Sequence, residues 1–451
     1  MLDILITNCS LVIPNIGVIN KNIGIKDGKI SIITSDIITS DKIINAKGMH
    51  VLPGLIDPHV HYGVFEPIDK ASEDESRSAA IGGVTCMMRM LRLYGSYKKI
   101  LKEHIEANKH IIDYAYHASI LLREHIDEIE YCKTYGIRSF KLYMNLSKGI
   151  GKIYMDMLPY KDELIEAEVN TDEYMIKNTL INASRNDSIT IVHAEDPEIC
   201  KEGIMKLKGS NKNDLRAWSD ARAPISEVKA IRFLTSLGNY PIYIPHLGSK
   251  EGLEEALRAK KDHAIFIETC PHYLTHTYEF DLRGKVVPPL RSKDDQIALW
   301  NAIKDDKIDC IGSDHVANRL EDKLADNTLL NALAGFPGIA TILPVMLSEG
   351  VNRSRMTLEQ LTRITSYNAA RIFNLKDKGS LEVNYDADLT IIDIDKEVKV
   401  RPEILNSYSD YTIYDNMVLK GWPILTMVRG NIVMEDGIVI GKPGYGRYIA
   451  R

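Results

Sequence analysis

The feature that most constrains this chain is an alternation. Short apolar runs of strand length recur between longer stretches of helical pattern from residue 51 to residue 315. Strands joined in this way through helices form a parallel sheet. Eight runs are readable, at 51–61, 85–91, 114–120, 139–144, 189–195, 242–248, 264–271 and 308–315. Stretches such as 97–108 and 251–261 read as helices, the second with acids leading and bases closing, as the helix dipole favours. Eight strands and their crossovers predict a closed (β/α)8 barrel, whose strand ends all deliver their residues to one face.

The flanks have a different texture. Short β-rich runs at 4–7, 29–34, 388–393 and 424–433 are broken by Asp27-Gly28, Lys47-Gly48 and Arg429-Gly430-Asn431, residues suited to hairpin turns. Both termini together predict one small sheet domain, residues 1–50 with 380–451, beside a barrel domain at 51–379. A length of 451 residues accommodates both. No apolar run approaches the roughly 20 residues of a membrane span, and the first 20 residues lack the pattern of a signal peptide, so a cytoplasmic protein is expected. Six scattered cysteines fit free buried thiols better than a disulfide framework or a zinc finger. A net charge of -6, with acids and bases interspersed, offers no basic face to a nucleic acid.

Five of the eight runs carry a potential metal ligand. His59 and His61 are one residue apart on a strand, so both imidazoles project to the same side. His193 and His246 each close an apolar run; singly, each is as readily a core histidine. Asp314 follows Ile311-Gly312-Ser313; capping a helix is the more common role for such an aspartate, but not beside four histidines. Lys141 lies inside Phe140-Lys141-Leu142-Tyr143, where a buried ammonium is costly unless paired or chemically changed. Its alternative is a side chain reaching out to solvent. Were the amine to take up carbon dioxide, the carbamate would be an anionic oxygen ligand able to bridge two cations, and oxygen with imidazole suits zinc, manganese or iron.

Asp57-Pro58-His59-Val60-His61, Phe140-Lys141-Leu142, His193-Ala194-Glu195, His246, Glu268-Thr269-Cys270-Pro271-His272-Tyr273-Leu274, Pro288-Pro289-Leu290-Arg291 and Gly312-Ser313-Asp314-His315 follow one another within residues 48–393. Their identity and order resemble the cyclic amidohydrolases: dihydroorotase, hydantoinase or dihydropyrimidinase, and allantoinase. The resemblance implies an α/β fold, a metal-bearing (β/α)8 TIM barrel with a small β-sandwich made from both termini. It implies that His59, His61 and Asp314 hold one ion, His193 and His246 a second, and carboxylated Lys141 bridges them. The expected cofactors are therefore two divalent ions, zinc foremost, and carbon dioxide as the carbamate on Lys141. Two such cations, about 3.5–4 Å apart, bring the pKa of a bridging water from about 15.7 towards about 7. The resulting hydroxide opens a cyclic amide, with Asp314 as general base and then acid. His272 and His315 read as supporting residues. The implied partners are a small-molecule substrate and further copies of the chain, as a homodimer or homotetramer.

The substrate is less legible. Dihydroorotases hold a substrate carboxylate with an arginine two residues past the second metal histidine, an asparagine after strand two and a histidine four residues past the metal aspartate. This chain has Gly63, Arg92 and Asn318 at or near those places, and Leu146 where hydantoinases place a ring-contacting tyrosine. Gly63, Arg92 and Asn318 remain the candidate substrate contacts. Arg92 is singled out because a guanidinium can make two hydrogen bonds to a carboxylate; a surface arginine is the alternative. Three readings follow: a cyclic amidase acting on a hydantoin, dihydropyrimidine or ureide ring, an atypical dihydroorotase, or a non-catalytic scaffold homologue. Retention of all six candidate ligands argues against the third. Segment 145–172, with Gly149, Gly151 and Pro159, is long for a loop and reads as a lid, a disordered segment or an oligomer contact.

Overall fold

The computed structural model of the protein describes residues 1–147, 150 and 152–451. Its centre is a closed parallel barrel. Seven strands are Leu55–His61, Val84–Leu91, Asp113–Ser119, Ser139–Tyr143, Ile189–His193, Ile242–Ile244 and Ile265–Thr269. The eighth position is shared: Cys310–Ile311 pairs with Ile265–Thr269, and His315–Val316 pairs with the first strand, His315 opposite Val60. That last pairing closes the ring.

Several of these strands are buried on both faces, as a parallel sheet wrapped in helices requires, which is why they read as continuous apolar runs rather than alternating ones. Met88, Met90, Ile191, Tyr243, Cys310 and Phe373 belong to one buried cluster that packs the barrel. Two helices begin four residues beyond His193, which ends its strand, and His246, which lies two residues past Ile242–Ile244. Asp196 accepts from the N–H of Ile199 to start Pro197–Lys208, and Ser249 accepts from the N–H of Gly252 to start Lys250–Ala259. Short, capped loops therefore fix His193 and His246.

The first apolar run divides between two sheets. His50–Pro53 pairs with Leu389–Lys399, whereas Leu55–His61 enters the barrel. Gly54 lies at the crossing, and a Cβ there would sit 2.1 Å from Thr85 Oγ1, so this approach to the second strand needs glycine. Around it, a four-stranded sheet from residues 2–45 and a seven-stranded sheet from both termini bury a common core that includes Ile6, Leu11, Ile23, Val51, Leu389 and Met427. The last strand of the second sheet is Ile438–Val439, after which the chain returns to the barrel. Tyr114 N–H donates to Arg447 O at 3.0 Å, and Ile449 N–H to Tyr114 O at 2.8 Å.

Within segment 145–172, Lys152–Met155 and Ile165–Glu168 form an antiparallel hairpin. It is pinned to the ends of the first two barrel strands: Asp156 N–H donates to Arg92 O at 2.9 Å, and Met157 N–H to Gly63 O at 2.8 Å. Asp156 also pairs with buried Arg89 at 2.7 Å. Gly149 and Gly151 lie outside the described residues. All six cysteines are free and buried, and among the described residues no helix is long and apolar enough to cross a membrane.

Candidate metal centre

Three ligand atoms converge at the end of the first strand. His59 Nε2 lies 3.2 Å from His61 Nε2 and 3.3 Å from Asp314 Oδ1, and His61 Nε2 lies 3.4 Å from the same oxygen. A triangle with such edges has its centre about 1.9 Å from each corner, close to the roughly 2.0–2.1 Å of zinc–nitrogen and zinc–oxygen bonds. A divalent ion fits this donor set. Beside it, His193 Nδ1 lies 3.1 Å from His246 Nε2, and the His59 and His246 rings are 5.1 Å apart. Lys141 Nζ is buried without a hydrogen-bond partner among the described residues, 5.2 Å from the Tyr143 ring. His61 Nδ1 is likewise buried without a partner among the described residues.

Carboxylates aim the histidines. Glu268 Oε1 lies 2.9 Å from His59 Nδ1 and also accepts from the His246 N–H; Glu268 Oε2 accepts from Tyr243 at 2.7 Å. With the proton on Nδ1, His59 presents its Nε2 lone pair to the cluster. His193 Nε2 likewise meets Glu195 at 2.6 Å, and Glu195 is gripped at two points by Arg222. Asp57 accepts from the N–H groups of His59 and Ser313 and from the Ser313 hydroxyl, joining the first strand to the loop carrying Asp314. Two of the converging residues hold left-handed backbone, His246 at φ 43° and Asp314 at φ 49°. Such conformations in non-glycine residues concentrate at functional sites, where the surroundings enforce them.

Burial dominates the protonation of the cluster. It pushes Lys141 down to about 8, against the pull of Asp314 and Glu268, and raises Asp314 to about 8 and Glu268 to about 7. Burial first, then Lys141 for His59 and Arg92 for His61, holds both imidazoles far below their usual value, hence neutral and able to ligate. Glu195 goes the other way: burial opposes it, yet Arg222 and His193 hold it down to about 2.

A second trio, Asp113, Asp386 and Asp388, also has the spacing of metal ligands. Its cation is already supplied. Lys378 Nζ lies 2.8, 3.1 and 2.5 Å from the three carboxylates, and Arg429 adds a contact of 3.0 Å to Asp113.

The remaining sequence candidates occupy different surroundings. Arg92 is half-buried, with its Nε unpartnered, and its charge acts on His59, His61 and Asp314. Asn318 is buried, accepting from Tyr411 Oη at 2.6 Å. Gly63 has φ 81°, and a Cβ there would sit 2.6 Å from Arg89 Nη2. His272 packs between Tyr273 and Phe336, while His315 accepts from the Gly338 N–H and faces Glu75 at 2.9 Å. Sequence reasoning assigned no role to Glu268, Glu195, Arg222 or Asp57. The available signals were a carboxylate closing an apolar run at Glu268 and the two-residue step from His193 to Glu195.

A parallel barrel with a histidine–aspartate cluster at its strand ends defines a class, the metal-dependent barrel hydrolases. The family model described as "Amidohydrolase family" matches residues 243–433. The chain is 30% identical to an L-hydantoinase of Paenarthrobacter aurescens, covering 100% of this chain and 98% of that protein. It is 33% identical to a dihydroorotase of Pyrococcus furiosus, over 95% and 92% of the two chains. The solved L-hydantoinase of Arthrobacter aurescens superposes with a TM-score of 0.88 at 29% identity, with both chains covered fully. The chain belongs to the amidohydrolase family. It is an enzyme that hydrolyses carbon–nitrogen bonds in cyclic amides with the help of metal.

Proposed function

We propose that His59, His61 and Asp314 hold one divalent ion, that His193 and His246 hold a second, and that Lys141 joins them as its carbamate, with zinc the fitting metal. The carrying observation is the convergence of His59, His61 and Asp314 within 3.4 Å of one another. The buried, unpartnered Lys141 amine beside two histidine pairs supports the bridging role. When bound, the ions would polarise the amide carbonyl and make water acidic enough to attack near neutral pH.

The chain's own groups do the rest. Glu268 and Glu195 fix the tautomers of His59 and His193. Asp314 takes the proton of the attacking water and passes it to the departing ring nitrogen, so that the carbon–nitrogen bond breaks to an acid and a neutral amine or amide. Arg92 is the substrate contact we favour among Arg92, Asn318 and Gly63. The Asn318 amide is engaged with Tyr411, whereas Arg92 has no ion pair among the described residues. Residues 51–379 form the catalytic unit, with 1–50 and 380–451 as its small domain.

The test is ring opening of hydantoin, dihydrouracil, allantoin and dihydroorotate side by side, with metal counted on the same sample. About two ions per chain and turnover of at least one ring is the expected result. A folded, metal-loaded sample in which His59→Ala and His193→Ala leave the metal count unchanged would overturn the ligand assignment.

A further inference from the structure

The strand that carries His59 and His61 is irregular where it matters. Asp57 pairs with Met87 and Val60 with Arg89, so three steps on the first strand match two on the second and the register slips across Pro58 and His59. A bulge of this kind re-aims side chains and leaves backbone groups without a ladder partner. Proline has no N–H to offer in any case. The Pro58 carbonyl finds its donor across the barrel instead, in His117 of the third strand, whose Nε2 lies 3.0 Å away.

The polarity of this contact is determined. A carbonyl only accepts, so the proton of His117 sits on Nε2, and burial keeps the ring neutral. His117 Nδ1 is then an acceptor and takes the hydroxyl proton of Ser139 at 2.5 Å. Ser139 Oγ in turn accepts from Arg451 Nη2 at 2.8 Å, and the same nitrogen donates to Tyr116 O at 2.5 Å. Arg451 is held in place by its own N–H to Gly136 O at 3.0 Å and by Arg138 Nε donating to its carbonyl at 2.7 Å. His117, Ser139 and Arg451 are all buried.

We propose that His117 is a positioning residue for the metal-bearing strand, and that Ser139 and Arg451 set its tautomer, so that residues 444–451 act on metal retention from the opposite end of the barrel. The chain runs in one direction: Arg451 to Ser139, Ser139 to His117, His117 to the peptide that precedes His59. Asp57 holds the N–H of that peptide, Glu268 holds the His59 ring, and His117 holds the carbonyl between them. The inference rests on the reading of His59 as a metal ligand.

The experiment measures metal affinity by chelator competition, together with kcat, KM and melting temperature, on the full chain. His117→Leu removes the donor to Pro58 and is expected to weaken metal binding roughly tenfold, at the lower end of what outer partners of metal ligands contribute, with kcat falling and KM unchanged. His117→Gln keeps an N–H at the place of Nε2 and should restore most of the affinity. Arg451→Met should show the same loss in smaller measure. Tyr448→Phe, which removes a different tail contact to Tyr135 O at 2.8 Å, should leave affinity alone. Should His117→Leu not fold, Arg451→Met against Tyr448→Phe decides. Wild-type affinity in folded His117→Leu, or equal losses in Arg451→Met and Tyr448→Phe, would overturn the proposal. A wild-type protein that binds no metal would instead sink the reading of His59 as a ligand.

Discussion

Among the described residues, two clusters have the spacing of metal ligands, and they differ in their surroundings. At the strand ends, His59, His61 and Asp314 converge on a point that no side-chain cation occupies among the described residues, and Lys141 beside them has no hydrogen-bond partner among those residues. Beside the start of the third strand, Asp113, Asp386 and Asp388 converge just as closely, but Lys378 and Arg429 have their charges there. The second cluster is a buried ion-pair network joining the barrel to the terminal sheets. Proximity of ligating atoms is therefore common to both, whereas among the described residues only the second trio is ion-paired to lysine and arginine side chains. The first trio also has one member, Asp314, in left-handed backbone, whereas none of the second trio is there.

The largest test of that contrast is Asp314→Asn. With Asp314 in its proposed roles of metal ligand and proton carrier, the substitution should lower kcat by about 10²–10⁴-fold and reduce bound metal, with little change in melting temperature. Asp386→Asn should leave both kcat and metal content near wild type. Metal lost equally from both variants would erase the distinction.

Next in size is Lys378→Ala. Removing one partner of a buried ion network typically costs about 3–5 kcal/mol, since Asp113 and Asp388 are left facing each other, so thermal unfolding should move down markedly while bound metal is unchanged. The vacated position should then respond to added divalent cation by recovering part of the lost stability. An equal response in the wild type would mean that Lys378 is not what fills the site.

Glu268→Gln is expected to matter less. The amide cannot accept from the His59, Tyr243 and His246 donors as a carboxylate does, and loss of such a partner typically weakens metal binding about 10–100-fold. The readout is chelator competition. Wild-type affinity would show that His59 is aimed by packing alone.

The metal face of this contrast was legible in the sequence and the ion-paired cluster was not, since Lys378 and Asp113 are 265 positions apart. Periodicity located the barrel strands because strands buried on both faces are uniformly apolar, and the two-residue step placed His59 and His61 on one side. The run at 51–61 hid a change of sheet at Gly54, because both halves are buried and nothing in hydropathy separates them. The segment 145–172 hid a hairpin held by Arg89 and Asp156, a pair 67 positions apart. Glu268 and Glu195 went unassigned because a carboxylate ending a strand looks the same whether it binds an ion or orients the histidine that does. His117 was unreadable for a stronger reason: its partners, Pro58 and Ser139, come from two other strands.

Two arginines restate the contrast at the scale of a single charge. Arg429 is committed, pairing with Asp113, whereas Arg92 on the metal face makes no ion pair among the described residues and keeps its Nε unpartnered. In its proposed role Arg92 meets a substrate anion or carbonyl, and its charge disfavours the charged forms of the neighbouring histidines. Arg92→Ala should therefore raise KM about tenfold for a carboxylate-bearing ring, the equivalent of about 1.4 kcal/mol, and change it less for a neutral one. Arg429→Ala should lower the melting temperature with KM unmoved. Equal KM shifts for charged and neutral rings would place Arg92 in the architecture of the strand end, held there by its backbone bonds to Asp156, and remove it from substrate recognition.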